Sequence, residues 1–312
     1  MATAIDEFSY LPAQAEALGV PLPHGERVWF DLPDGRRLSA LHYGTGAPRV
    51  TLLHGAGLNA HTFDTTILSL RQPALSIDLA GHGDSSWRDD VDYSPRVLAS
   101  DVAAALDAWT DTPQVIVGQS LGGLTGAALA ASRPDLVAAL VIVDITPGID
   151  TSAGPAALRE FYAGPTDFAT REELVDKAIA FGFGGARPDT ERGVFLNTRV
   201  RPDGRVEWKH HFAHLAAHAL ASAEATDAGE AAVPTPAPLL DASGWEDLSR
   251  VSAPLTLVRA TGGFVAEADA TEFLERNPDA RVVVVPATHN VQETAPVELA
   301  GLIEESVSDA RM

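Results

Sequence analysis

The chain has 312 residues, 46% of them hydrophobic, enough for one large domain, or a domain with an insertion, around a sizeable core. With 22 Lys+Arg against 43 Asp+Glu, the net charge of -21 repels nucleic acid and anionic membranes and suits a neutral or apolar small-molecule substrate. The absence of Cys excludes disulfides, thiolate catalysis and Cys-ligated metals.

Residues 1–10 carry no basic stretch or long apolar run of the kind a signal peptide needs. No segment approaches the roughly 20 apolar residues of a membrane helix, so a cytoplasmic protein is expected. Residues 27–32 and 37–43 flank Pro33-Asp34-Gly35 and read as a hairpin. Residues 50–53 read as a short buried strand that ends at His54-Gly55-Ala56-Gly57. A helix is expected over 62–70, a strand over 74–77 ending at Asp78, and a helix over 95–109 behind a Ser94 cap. A strand over 114–117, a helix over 124–131 and a strand over 137–143 make a βαβ unit. These strands are continuously apolar, as a parallel sheet covered on both faces requires.

After Ile145 the rhythm breaks. Residues 147 to about 250 show helical stretches with many Gly, Pro and Ala, and 221–238 is a low-complexity run expected to be a mobile loop. The sheet pattern returns at 254–258, followed by a helix over 268–276, a strand over 282–285 and a helix over 296–307. A sheet interrupted once by a helical block suggests core residues 1–146, an inserted cap over 147–250, and the rest of the core over 251–312.

Gly118-Gln119-Ser120-Leu121-Gly122-Gly123 lies at a strand-to-helix junction, the context that gives a Gly-x-Ser-x-Gly its meaning as a nucleophile elbow. A serine hydroxyl needs a base, and the base needs an orienting acid. His289, in the loop after the last strand, faces the same sheet edge as Ser120 and is the candidate base. The glycines of His54-Gly55-Ala56-Gly57 let the Ala56 N–H turn into the cleft, where with the Leu121 N–H it would form an oxyanion hole. His54 is expected to hold this loop by hydrogen bonding.

These motifs, with Asp78-Leu79-Ala80-Gly81-His82-Gly83-Asp84-Ser85, resemble the α/β-hydrolase superfamily across nearly the whole chain outside the cap. The resemblance implies an α/β fold with a mostly parallel, eight-stranded, doubly wound sheet and a helical cap inserted after strand 6. It also implies structural roles for Asp78 and His82, which shape a loop beside the active site. In most family members the acid follows the seventh strand, here 255–258, but the expected position is Gly263. Asp144, at the end of the sixth strand, is therefore the expected acid, because an ionisable group at the tip of a buried strand needs a partner or a role. Glu267 and Asp269 are the alternatives, with Asp269 also suited to start a helix.

A serine rather than an aspartate at the elbow points to an acyl-enzyme route and a carboxylic ester. A carbon–carbon bond hydrolase with the same triad, and a hydrolase-like ligand-binding scaffold with little turnover, are the competing readings. Asn59, His61 and Trp87 are candidate substrate-binding residues, although Asn59 and His61 also suit helix capping. Phe161, Tyr162, Phe181, Phe183 and Trp208 read as cap core with some facing substrate, and Phe181-Gly182-Phe183-Gly184-Gly185 as a flexible lid segment. His210, His214 and His218 share a helix face, yet without a further ligand nearby no metal is expected. No cofactor motif is present, and the sequence leaves a homo-oligomer open.

Overall fold

In the computed structural model, the hairpin around Pro33-Asp34-Gly35 pairs β1 (Gly25–Asp31) with β2 (Arg37–Tyr43) in antiparallel register. The structure describes residues 6–149, 157, 160–162, 164–182, 185–224 and 243–310. The hairpin joins β3 (Val50–Leu53), β4 (Ala74–Asp78), β5 (Gln114–Gln119), β6 (Val137–Val143), β10 (Leu255–Gly262) and β11 (Arg281–Thr288) in one eight-stranded sheet. Its order is β1-β2-β4-β3-β5-β6-β10-β11; β2 meets β4 antiparallel, and every later neighbour is parallel.

Alternation along the strands explains why both faces are covered. Ile116, Leu140 and Ile142 enter one apolar cluster with Leu98, Leu106 and Leu129 from α3 (Pro95–Trp109) and α4 (Leu121–Ser132). Val115, Val117, Val141 and Val143 enter the opposite cluster. There they meet Leu11 of α1 (Leu11–Leu18), Ile67 of α2 (Asp64–Ser69) and Ile303 of a C-terminal helix over 296–309. Each fully buried aliphatic side chain contributes about 1.5–3 kcal/mol, so these two layers fix the sheet on which the site is built.

Three local expectations change. The helix expected over 62–70 is a 3-10 turn, Ala60–Phe63, followed by α2. Ser94 has the extended backbone of an N-cap, but its side chain makes no capping bond. Residues 11–18 form a helix that the sequence pattern does not announce, closed by Gly19 in a left-handed conformation.

The chain between β6 and β10 is not purely helical, contrary to expectation. It holds α5 (Arg171–Phe181), α6 (Arg187–Asn197) and α7 (His211–Glu224). It also holds a small antiparallel sheet of β7 (Asp167–Phe168), β9 (Val206–Trp208) and β8 (Thr198–Val200), in that order. Phe161, Leu174, Val194 and Trp208 pack in a core of its own. Of the expected mobile loop, Ala221 to Glu224 continue α7, while 225–242 lie outside the described residues. Gly182 ends α5 in a left-handed conformation, a capping role; Phe183 and Gly184 lie outside the described residues, as does the His218 side chain. Among the described residues, no helix is long and apolar enough to cross a membrane.

Candidate active site

The elbow is built from close backbone approach. A Cβ on Gly118 would lie 2.2 Å from the Gly122 oxygen, and one on Gly122 would lie 2.0 Å from the Leu53 oxygen. Glycine at both positions lets β5 turn directly into α4, and this forces Ser120 to φ 52°, in the left-handed region. The Ser120 N–H is fixed by the Val143 carbonyl, 3.1 Å away.

Asp144, at the end of the neighbouring strand β6, is also left-handed, at φ 50°. Its N–H donates to the Val258 carbonyl at 2.8 Å. Its fully buried carboxylate accepts three hydrogen bonds: from Ala260 N to Oδ1 at 2.9 Å, from Phe264 N to Oδ2 at 2.7 Å, and from His289 Nδ1 to Oδ2 at 2.8 Å. Of the carboxylates at 144, 267 and 269, Asp144 is thus the one bonded to His289. Asp269 instead accepts from the Ala266 N–H at 2.8 Å, inside the first turn of α8 (Glu267–Arg276), and Glu267 opens that helix.

Gly263 explains this geometry. A Cβ there would lie 2.0 Å from Asp144 Oδ2 and 2.4 Å from both Cγ and Oδ1. At the position where the resemblance implies an acid, the missing side chain is the space that Asp144 occupies from the adjacent strand. Phe264 completes the pocket for the imidazole, stacking on the His289 ring at 3.6 Å with 14° between the planes. Sequence reasoning does not single out Phe264; its one signal is an aromatic side chain next to the glycine. Gln119 braces the other side, donating to the His289 carbonyl at 3.3 Å. Ser120 Oγ makes no hydrogen bond to His289 in this structure.

The loop at His54-Gly55-Ala56-Gly57 packs against the elbow: a Cβ on Gly55 would lie 3.2 Å from Ser120 Cβ. Among the described residues, neither the Ala56 nor the Leu121 N–H donates to a backbone carbonyl. Two buried histidines hold this loop. His54 Nε2 accepts from the Leu79 N–H at 3.0 Å, which leaves Nδ1 to donate to the Gly55 carbonyl at 2.8 Å. His82 Nε2 accepts from the Gly57 N–H at 3.1 Å. Burial lowers the pKa of both, and for His82 the neighbouring His54 and His210 rings add to the effect. Asp78 serves the same frame, accepting from Arg27 at 2.7 Å, Ser39 at 2.7 Å and the Ala60 N–H at 2.8 Å.

Asn59 Oδ1 caps the turn by accepting from the His61 N–H at 2.9 Å, and Asn59 Nδ2 donates to Asn197 Oδ1 at 2.6 Å. His61 is buried and joins Asp64, at 3.1 Å, to Glu7, at 3.2 Å. Burial opposes its charge, but the Asp64 and Glu7 carboxylates outweigh burial and raise its pKa to about 9. Both Asn59 and His61 line a narrow cleft with Arg192 and Glu293. Trp87 instead bridges to the segment after β6. Its Nε1 donates to the Lys209 carbonyl at 2.9 Å, and its ring stacks on His211 at 4.4 Å.

His210 lies fully buried beneath Tyr162, ring centroids 4.3 Å apart, and burial depresses its pKa to about 3. His211 accepts or donates at Tyr93 Oη across 2.7 Å. Among the described residues, no three His, Cys, Asp or Glu side chains are arranged to hold a metal.

The model of the alpha/beta hydrolase family matches residues 52–302. The chain belongs to that family. It is 37% identical over 320 residues to the esterase Rv0045c of Mycobacterium tuberculosis, a match covering 99% of this chain and 98% of the relative. A crystal structure of that esterase superposes with a TM-score of 0.76 at 35% identity, covering 99% of this chain and all of the other. A 2-(acetamidomethylene)succinate hydrolase of Mesorhizobium japonicum is 28% identical, over 83% of this chain and 87% of its own. The alpha/beta hydrolase membership makes the protein a hydrolase and accounts for the mostly parallel sheet.

Proposed function

We propose that the protein hydrolyses a carboxylic ester of a small, largely neutral substrate through an acyl-enzyme, with residues 147–250 covering the site as a cap. The observation that carries this reading is the His289–Asp144 hydrogen bond of 2.8 Å on the sheet edge where Ser120 is held in its elbow. The similarity to an esterase along nearly the whole chain supports the same reaction class.

In this mechanism Asp144 fixes the His289 tautomer by accepting from Nδ1, which leaves Nε2 to take the Ser120 proton. Apo geometries of such pairs are commonly loose and tighten on substrate. Ser120 Oγ attacks the ester carbonyl, and the Ala56 and Leu121 N–H groups hold the developing oxyanion. His289 then protonates the leaving alcohol. It next removes a proton from water, which attacks the acyl-enzyme and releases the acid and free Ser120.

Hydrolysis of p-nitrophenyl esters of increasing acyl length, by the wild type and Ser120→Ala, tests this reading. The expected result is turnover with a chain-length optimum that falls by at least about 1,000-fold in the variant. Equal rates in the two proteins, or no turnover of any ester, would overturn it.

A further inference from the structure

A cleft opens beside the loop that carries Ala56, and its hydrogen-bonding groups are unevenly spent. Its walls are Leu58, Asn59, Arg192, Leu196, Asn197 and Glu293. Asn59 lies three residues beyond Ala56 and Glu293 four beyond His289, so the cleft is walled by the continuations of the proposed oxyanion loop and of the histidine loop.

The acceptors at the cleft are engaged, Glu293 Oε2 by Asn290 Nδ2 at only 3.5 Å. Asn59 Oδ1 takes the His61 N–H, Asn197 Oδ1 takes Asn59 Nδ2, and Glu293 Oε1 takes the Thr62 hydroxyl at 2.8 Å. Asp64, behind the wall, takes His61 and Tyr43. Donors remain. Among the described residues, Asn197 Nδ2 donates to nothing, and Arg192 uses only Nη2, on the His61 carbonyl at 3.0 Å and on Asp64 at 3.5 Å. Among the described residues, Arg192 Nε is shielded from solvent and has no partner. An orphaned guanidinium N–H is costly and calls for an explanation. Leu58 and Leu196 add apolar walls.

We propose that this cleft is a subsite for an acceptor oxygen remote from the scissile ester, a terminal carboxylate or amide carbonyl, bound by Arg192 and Asn197. This rests on the Ser120 esterase reading and refines its substrate class: a short acyl chain, apolar along its length, ending in an acceptor group. Such a group supplies lone pairs to Asn197 Nδ2 and the Arg192 guanidinium in place of water, which a plain alkyl end cannot do.

The test compares kcat/KM for p-nitrophenyl butyrate, its carboxylate analogue mono-p-nitrophenyl succinate, and the matching succinamate ester. The wild type is expected to favour at least one acceptor-bearing ester over butyrate by 10-fold or more. Asn197→Ala and Arg192→Met are expected to bring the ratio near one by lowering kcat/KM for the acceptor-bearing esters. Preference for the succinate ester alone assigns an anionic ligand, and equal preference for the succinamate assigns a neutral one. Because Arg192 also braces the His61 turn, Asn197→Ala is the variant that stands if Arg192→Met misfolds.

A second measurement does not depend on turnover: monomethyl succinate or succinamate should raise the Tm of Ser120→Ala protein and not that of the Ser120→Ala/Asn197→Ala double variant. A wild-type ratio near one, a ratio untouched by the variants, or no Tm shift with either compound overturns the subsite. A flat ratio with Ser120-dependent butyrate turnover rejects the subsite alone. A Tm shift without any turnover rejects the esterase reading and retains the subsite.

Discussion

Replacing Gly263 with alanine adds one methyl group and should cripple the enzyme. The new Cβ would lie 2.0 Å from Asp144 Oδ2. Carbon–oxygen contacts under 3.0 Å essentially never occur, so the carboxylate must retreat by about 1 Å. Its backbone cannot follow: Asp144 is held at φ 50° by the Val258 carbonyl, between two parallel neighbours. A retreat of that size stretches the 2.8 Å bond to His289 and the 2.7 Å bond from Phe264 N beyond hydrogen-bonding range. A misplacement of about 1 Å in a catalytic group costs roughly 100-fold, and loss of the orienting acid up to about 10,000-fold, or roughly 3–5 kcal/mol of barrier. Gly263 is not in the left-handed region, so alanine is tolerated by the backbone and the effect isolates the collision. The assay is kcat on p-nitrophenyl butyrate, with circular dichroism and Tm as controls for folding. A folded Gly263→Ala protein with kcat within threefold of wild type would refute the argument that Asp144 orients His289 through this gap.

Two neighbouring contacts give further expected outcomes. Phe264→Leu keeps an apolar side chain but removes the ring stacked on His289; a stack of about 0.5–1.5 kcal/mol translates into a roughly 2- to 13-fold fall in kcat with KM unchanged, and a fall in KM-linked binding instead would place Phe264 against substrate. His61 is held protonated in the fold, with a pKa of about 9 against 6.5 for the free side chain. Its stabilisation is therefore complete below pH 6.5 and fades as pH rises through 9, by an amount on the order of 3 kcal/mol. Urea midpoints of the wild type should drop between pH 6.5 and 9.5 more than those of His61→Asn; parallel curves would show that the Asp64 and Glu7 contacts do not act through charge.

The core of this molecule is legible in the chain because its signals are local. Short segments rich in Val, Leu and Ile mark β3, β5 and β6, and glycines at 118 and 122 mark the elbow, since sharp turns leave their requirement in the turning residues themselves. Asp144 is legible as a charged residue ending a buried strand. Its partnership with His289 is less so, because the vacancy at Gly263 acquires meaning only when β10 lies beside β6. The small sheet escapes notice because strands of two or three residues are too short to show a period. His61 and Trp87 stand out as polar and aromatic residues near the site, but their partners, Glu7 and Lys209, come from distant parts of the chain.

With the proposed acid at the end of β6, the site is divided unequally along the chain. Ser120, Asp144 and the Ala56 loop all precede the segment between β6 and β10, whereas the C-terminal portion contributes His289 and its supports, Gly263 and Phe264. In the proposed mechanism the first portion supplies nucleophile, acid and oxyanion donors after β3, β5 and β6, which are neighbours in the sheet, and the second supplies the proton carrier. The connecting segment can therefore be exchanged or lengthened without altering the spacing of Ser120 and Asp144, which leaves room for lineages to vary substrate coverage independently of bond cleavage. The same division makes the protein a candidate for a split reporter: two fragments parted between 208 and 255, each inert alone, whose esterase signal would return only when β10 docks beside β6.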